Sequence, residues 1–212
     1  MNKMNLMAIS RIFLITIVFA VPATTPASTT LTAHELIDNL SKEIVIAARA
    51  SSEENYKENI RKIIDDKYIE RIDFLRITKT STGTKAFNNA TAEQQDALVH
   101  EFSEYLIELI ITAAYKLPDY SIELIPADSE TGKKKAEVGV ILKDEKTGFK
   151  IEADFILHSL DGPWKIYDLN IAGTSTMLAS KFFIKTSIEK HGIDGLIDDL
   201  KKLNNAEDSP DQ

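Results

Sequence analysis

The sequence predicts an α+β fold in which helices pack on a four-stranded antiparallel sheet. Apolar residues recur at helical spacing up to Pro118. From Tyr120 to Ile171 they recur at every second position, and short turns join the alternating runs, which is typical of an antiparallel meander. Helical spacing returns after Gly173. One face of the predicted sheet is apolar and needs a cover, which the helices on either side of it in the chain can provide.

Composition limits the classes of protein to which the chain can belong. With 212 residues, 43% of them hydrophobic, the chain is long enough for one domain with a sizeable core. A net charge of −8 argues against a nucleic-acid partner, which requires clustered Lys and Arg side chains. The sequence contains no cysteine, so disulfides and thiolate metal sites are excluded.

The first residues have the pattern of a secretory signal peptide. Lys3 and Arg11 precede an apolar run, residues 12–21, which is too short to cross a bilayer as a helix. Small residues follow, and cleavage is expected after Ala23 or Ala27. The alternative is an anchor that stays attached to the membrane. We therefore expect a signal peptide over residues 1–27, a single domain over 28–203 and a disordered tail over 204–212.

The segment before the long helix is predicted to be mostly helical. A first helix spans residues 32–50, and residues 51–55 form a break. A second helical pattern starts at Tyr56 and runs on towards Leu75. The stretch TKTSTGT, residues 78–84, is predicted to be a polar loop.

A long helix follows, and its apolar surface is unusually wide. Thr91 with Gln94 three residues later forms a capping-box pattern, and Pro118 ends the helix near Leu117. Its polar stripe is narrow and consists mainly of Glu101, Glu104 and Glu108. The helix therefore needs apolar partners on more than one side. Either it is a central helix enclosed by other elements, or part of its surface lines a cavity for an apolar ligand.

Four strands and a final pair of helices complete the prediction. Gly173, Thr174 and Ser175 end the sheet and cap the next helix, and Gly192 stops that helix before a short last one. The strands are predicted at residues 120–126, 135–143, 149–158 and 164–171, with turns at 144–148 and 159–163.

The search for catalytic chemistry leaves one candidate acid. The four histidines His34, His100, His158 and His191 do not stand at metal-ligand spacing, and nucleophile-elbow and phosphate-loop motifs do not occur. We therefore expect no metal and no cofactor. Asp168 lies in the last strand, but no convergent partner for it is visible, and the alternation around it does not show which face it occupies.

Three stretches resemble a known family. They are WKIYDLNIAGTSTM (residues 164–177), KHGIDGLIDDLKKL (residues 190–203) and NATAEQQDALVHEFSEYL (residues 89–106). In order and spacing, residues 32–203 resemble the MlaC family of periplasmic phospholipid-binding proteins, also known as toluene-tolerance or auxiliary ABC-transport proteins.

The resemblance implies a fold, a function and partners. The fold would be a curved sheet with helices packed on it, similar to the nuclear-transport-factor cone with added helices. The protein would be a soluble, monomeric periplasmic carrier that maintains outer-membrane lipid asymmetry. Its partners would be phospholipid, an inner-membrane ABC permease complex with a substrate-binding ring protein, and an outer-membrane lipoprotein–porin complex.

In such a fold, acyl chains would lie between the sheet and the helices. The residues expected to contact them are apolar and come from the long helix, the sheet and the start of the following helix. They are Phe102, Leu106, Leu109, Ile110, Val138, Val140, Leu142, Ile151, Phe155, Tyr167, Leu169 and Met177.

Two other functions are compatible with the same sequence. One is a small-molecule enzyme on a cone-shaped α+β fold that uses Asp168. The other is an adaptor protein with a solid core and no ligand.

Overall fold

The structure is a computed structural model that describes residues 31–126, 134–160 and 162–206. The predicted signal peptide, residues 1–27, and residues 207–212 of the predicted tail lie outside these ranges. The first five helices are α1 (Ala33–Ala50), α2 (Tyr56–Ile63), α3 (Phe74–Thr82), α4 (Thr84–Asn89) and α5 (Ala92–Ala114).

Helix α1 begins at a reciprocal cap. The backbone N–H of Glu35 donates to the Thr32 hydroxyl at 3.1 Å, and the N–H of Thr32 donates to the Glu35 carboxylate at 2.9 Å. The Thr32 N–H bond, together with a bond from the Thr32 hydroxyl to the same carboxylate, lowers the pKa of Glu35. The helix contacts the sheet with Leu36 and Ile37, and it contacts α2 and α5 with Ile44. It therefore connects two apolar clusters.

The second helical pattern is interrupted where the sequence predicted a continuous helix towards Leu75. Helix α2 passes into a π-helical turn, Ile64–Tyr68, and then into one turn of 3₁₀ helix, Ile69–Arg71. Ile72 then makes a parallel bridge with Ile166 of the sheet. The backbone leaves the α-helical path because it joins the sheet edge here.

The prediction of a polar loop over residues 78–84 is wrong. Residues 78–82 belong to α3, which Asp73 caps by accepting a hydrogen bond from the Arg76 N–H at 3.0 Å. Thr78 and Ser81 are buried, so the hydroxyl-rich sequence is an inner helix face. The helix ends at Gly83, whose φ of +88° favours glycine.

Helix α5 has partners on two sides, as its wide apolar surface indicated. Ile107 and Ile111 pack with α1 and α2, whereas Leu98 and Phe102 pack with α3 and the last helix. The capping box of Thr91 and Gln94 is confirmed. The helix ends at Ala114, three residues before the predicted end, and a 3₁₀ turn, Leu117–Asp119, contains Pro118.

The sheet is an antiparallel meander of five strands, one more than predicted. The additional strand has only two residues and follows a turn in which Ala172 and Gly173 both have positive φ, 48° and 77°. Two such residues make the tight hairpin turn that suits the twist of a sheet. The strands are β1 (Tyr120–Leu124), β2 (Lys135–Asp144), β3 (Lys150–His158), β4 (Lys165–Ile171) and β5 (Thr174–Ser175), in this order across the sheet.

The last helix, α6 (Thr176–Ala206), bends sharply at Gly192, which has a φ of +71°. Across the bend, the Ser187 hydroxyl donates to the Asp199 carboxylate at 2.7 Å, and this bond lowers the pKa of Asp199. At the far end, the Asn204 side chain donates to the Glu101 carbonyl at 3.1 Å, so the helix extends beyond the expected domain boundary at residue 203. Within the described residues, no helix has both the length and the apolar character that a membrane span requires.

Candidate functional site

One face of the sheet is apolar throughout, and we call it the inner face. The register pairs Val138 with Phe155 and Phe155 with Leu169, and directly paired residues point to the same side of a sheet. The face consists of Ile122, Leu124, Ala136, Val138, Val140, Leu142, Ile151, Ala153, Phe155, Leu157, Ile166, Leu169 and Ile171. Six of the twelve residues predicted to contact acyl chains belong to it.

Helix α1 covers this face only in part. It packs against β1 and β2, where Val138 and Val140 are buried. The cover is incomplete: Ile122, Leu124 and Leu142 remain partly accessible on β1 and β2. On β3 and β4, four more residues are partly or largely accessible, and the exposed fraction of Ile171 reaches 44%. We call these four residues, Ile151, Phe155, Leu169 and Ile171, the open part of the inner face.

A bulge in β4 explains why the sequence alternation around Asp168 is unclear. Ile156 pairs with Asp168, but the next residue, Leu157, pairs with Ile166, so Tyr167 is an extra residue in the ladder. As a result Ile166 and Leu169 contact the same core cluster although they are three positions apart.

Tyr167 does not lie on the inner face. It packs in the cluster of α3, α5 and α6. Its ring lies 5.5 Å from that of His158, and the Arg76 guanidinium lies over it at 4.3 Å from the ring centroid. Two other predicted contact residues, Phe102 and Leu106, belong to the same helical cluster.

The remaining predicted residues are dispersed. Leu109 and Ile110 are 42% and 36% exposed on α5. Met177 is partly buried at the start of α6. The structure therefore assembles the sheet residues into one surface and does not bring the α5 residues to it.

An open depression of about 570 Å³ lies elsewhere, against Gly83, Thr84, Lys85, Ala86 and Asn89. None of the twelve predicted contact residues lines it.

Asp168 is surrounded by hydrogen-bond donors from the start of α6. Its Oδ2 accepts from the Ser175 hydroxyl at 2.6 Å, and its Oδ1 accepts from the Met177 N–H at 3.2 Å and the Leu169 N–H at 2.9 Å. A carboxylate at a helix N-terminus stabilises the helix dipole. This geometry is that of a structural cap.

A second acid lies close to a histidine. Asp73 Oδ2 is 2.6 Å from His158 Nε2, and both side chains are largely buried. Because Asp73 also caps α3, the contact connects that helix to the end of β3. In the described part of the chain, Asp, Glu and His side chains do not gather in threes as a metal site would require.

A comparison with protein families identifies the class to which this structure belongs. The model of the MlaC protein family matches residues 38–202, which is most of the chain. The chain belongs to the MlaC family. The resemblance inferred from residues 89–106, 164–177 and 190–203 is thereby confirmed.

This MlaC chain also has a solved structural relative. Its fold is similar to that of a phospholipid-binding protein from Ralstonia solanacearum, solved in complex with a phospholipid. The TM-score is 0.72 at 21% sequence identity, and the similarity covers 83% of this chain and 98% of that chain. Such a likeness shows that the two share a fold. A search among curated proteins found no match.

The residues predicted to contact acyl chains in this MlaC chain omit several members of the inner face, three of them on β1 and β4. Ile122, Leu124 and Ile171 are on the face through their pairing with Leu142, Val140 and Ala153. The period-two pattern of β1 was a sufficient signal for Ile122 and Leu124, whereas the bulge in β4 left the face of Ile171 undecided in the sequence. What it could not indicate was the extent of the cover by α1.

Proposed function

We propose that this protein is a periplasmic carrier that holds phospholipid acyl chains against the open part of the inner face. The observation that carries the proposal is the incomplete cover of an otherwise continuous apolar face in a member of the MlaC family. The related Ralstonia protein, described as phospholipid-binding, supports the choice of ligand.

The energetics favour a carrier over free diffusion of the lipid. Each buried methylene contributes about 0.8 kcal/mol, so two acyl chains of roughly fifteen carbons would cost more than ~20 kcal/mol to expose to water. Contacts with Phe155, Leu169 and their neighbours replace water without directional bonds. Such contacts allow the lipid to slide out again, which a carrier requires.

The proposed cellular role is taken from the membership in the MlaC family. The N-terminal pattern, residues 1–27, supports export to the periplasm as a single lipid-binding domain. We propose that the protein is monomeric and that it shuttles lipid between an outer-membrane lipoprotein–porin complex and an inner-membrane ABC permease complex with its ring protein. We propose no catalytic role, because the donors around Asp168 match those of a helix cap.

The test compares two adjacent residues of β3 that point to opposite faces. Ile151 lies on the open part of the inner face, and Glu152 is exposed on the other side. Native mass spectrometry of protein purified from cells should detect bound phospholipid in the wild type. Ile151→Asn should lower the lipid content, because an amide would be placed against acyl chain without a partner. Glu152→Asn is the matched control and should retain the lipid.

The outcomes separate the candidate functions. A wild-type protein without phospholipid and with a packed core would favour an adaptor. Equal lipid loss in Ile151→Asn and Glu152→Asn would show that the inner face is not the binding surface.

A further inference from the structure

The first half of α6 presents apolar side chains to solvent. Ile184 and Ser187 are buried at 2% and 4% exposure and attach the helix to α3 and α5. On the opposite side, Leu178 is 58% exposed and Phe182 is 81% exposed. A surface helix ordinarily presents polar residues outwards, so this helix is apolar on a side that the rest of the chain does not cover.

The same region is basic in an acidic protein. Residues 71–90 and 171–191 contain α3, α4 and the first half of α6, and α3 packs against both of the others. These two segments contain seven basic and two acidic side chains, whereas the whole chain has a net charge of −8. The basic residues are Arg71, Arg76, Lys79, Lys85, Lys181, Lys185 and Lys190, and the acidic ones are Asp73 and Glu189.

We propose that the first half of α6 docks the protein on an anionic lipid surface. Leu178 and Phe182 would enter the boundary between headgroups and acyl chains, while Lys181 and Lys185 would contact headgroup phosphates. An aromatic and an aliphatic residue one turn apart, with lysines beside them, are typical of a helix that lies in a membrane interface. Lysine stems can lie along the apolar surface while their ammonium groups reach the phosphates.

A lipid surface suits these residues better than an acidic protein does. An acidic protein could form ion pairs with the lysines. To bury Phe182 as well, that partner would need an apolar pocket at the matching position. A bilayer provides negative charge and an apolar layer over the whole length of the helix. The inference rests on the proposed lipid-carrier function, because a carrier must reach the lipid that it loads.

The first half of α6 is joined directly to the open part of the inner face. Asp168 holds Ser175 and Met177 at the start of α6. Asp168 is also next to Leu169 in β4, which lies on the open part of the inner face. Docking through α6 would therefore place the edge of this surface close to the bilayer, and an acyl chain would have a short path to it.

The experiment is flotation of the purified full-length mature protein with vesicles. Two compositions are used: phosphatidylcholine alone, and equal parts of phosphatidylcholine and phosphatidylglycerol. The wild type should float with the anionic vesicles only. Phe182→Ser should lower the partition coefficient about tenfold. Neutralising Lys181 and Lys185 to Gln should lower it about fivefold for each lysine.

A matched control is Phe149→Ser. Phe149 is 64% exposed beside the turn between β2 and β3, outside the basic region. This variant should float like the wild type. The proposal is overturned if the wild type fails to float with anionic vesicles, if it floats equally with both compositions, or if Phe149→Ser loses as much binding as Phe182→Ser.

Bound phospholipid, measured on the same samples, separates this inference from the proposed function. Phe182 points away from the core, so Phe182→Ser should retain its lipid while it loses flotation. Flotation by a wild type that contains no phospholipid would refute the carrier function and leave the docking helix supported.

Discussion

The carboxylate of Asp168 accepts a 2.6 Å hydrogen bond from the hydroxyl of Ser175, the last residue before α6. The same Ser175 oxygen accepts a hydrogen bond from the Leu178 N–H at 3.0 Å. The carboxylate of Asp168 thus stabilises the start of α6 in two ways: it accepts the Met177 N–H directly, and it holds the Ser175 hydroxyl that caps the helix. The one acid that the sequence suggested for catalysis is placed to join β4 to α6.

Substitution of Asp168 should therefore affect stability and leave lipid binding intact. In Asp168→Asn the remaining carbonyl oxygen can still accept from the backbone, so a loss of about 1 kcal/mol is expected. Asp168→Ala removes every acceptor and should cost roughly 2–3 kcal/mol. Urea denaturation and mass spectrometry of bound lipid measure the two effects. A variant that retains its lipid and stability but loses a measurable turnover would instead support the enzyme.

Gly195 should not tolerate even alanine. A Cβ at this position would lie 2.0 Å from the Cβ of His191, because the bend at Gly192 folds the preceding turn over it. In an ordinary helix, Gly→Ala stabilises by about 0.5–1 kcal/mol. Here we expect a loss of at least ~1–3 kcal/mol, as for overpacking in a core.

The rescue variant for Gly195→Ala removes the colliding atom. His191→Gly combined with Gly195→Ala should recover part of the lost stability, measured as the denaturant midpoint. Gly195→Ala with a midpoint equal to or above that of the wild type would mean that the bend at Gly192 is absent in solution.

The elements that the sequence predicted well are those with local signals. Thr91 and Gln94 specify the start of α5 through bonds within four residues. The turn at residues 144–148 is likewise local, since Asp144 accepts hydrogen bonds from the N–H groups of Lys146 and Thr147. Strand pairing then follows, because a short turn leaves little choice of register.

The errors arise where distant parts of the chain decide the structure. The sequence of α3 is rich in Thr and Ser, which ordinarily indicates a loop, but packing against α5 and α6 buries Thr78 and Ser81. The bulge at Tyr167 is similar. Nothing within β4 indicates it, and it becomes apparent only through the pairing of Ile166 with Leu157.

For the candidate site, too, the sequence predicted the local pattern of the strands and not the packing of the helices. Alternation in the sequence predicts that Val138 and Phe155 lie on the apolar faces of their strands, but it does not decide the face of Leu169 in β4. The orientation of α5 was not predictable, because a helix that is apolar on most sides has no preferred side in sequence. Leu109 and Ile110 therefore seemed equivalent to Phe102, although they are much more exposed.

The last prediction concerns the stability of the fold at alkaline pH. Tyr56 is buried, and its hydroxyl donates a hydrogen bond to the carbonyl of Ile111 on α5. Burial, with a smaller contribution from Tyr115, raises the pKa of Tyr56 to about 12. In the unfolded chain a tyrosine ionises near pH 10. Between about pH 10 and 12 the unfolded state therefore loses this proton first, and the free energy of unfolding falls as the pH rises.

Tyr56→Phe isolates this contribution. The variant should be less stable than the wild type by about 1 kcal/mol at neutral pH, because it lacks the hydrogen bond to Ile111. The difference should stay constant up to about pH 10 and shrink above it, since only the wild type loses the stabilising proton. Tyr68, whose pKa is also raised by burial and by Glu43, is present in both proteins, so its contribution cancels in the comparison.

Urea denaturation of both proteins from neutral pH to about pH 12 gives the two curves of unfolding free energy against pH. Curves that remain parallel above pH 10 would show that Tyr56 ionises in the folded protein as readily as in the unfolded chain, and the buried bond to Ile111 would then be absent in solution.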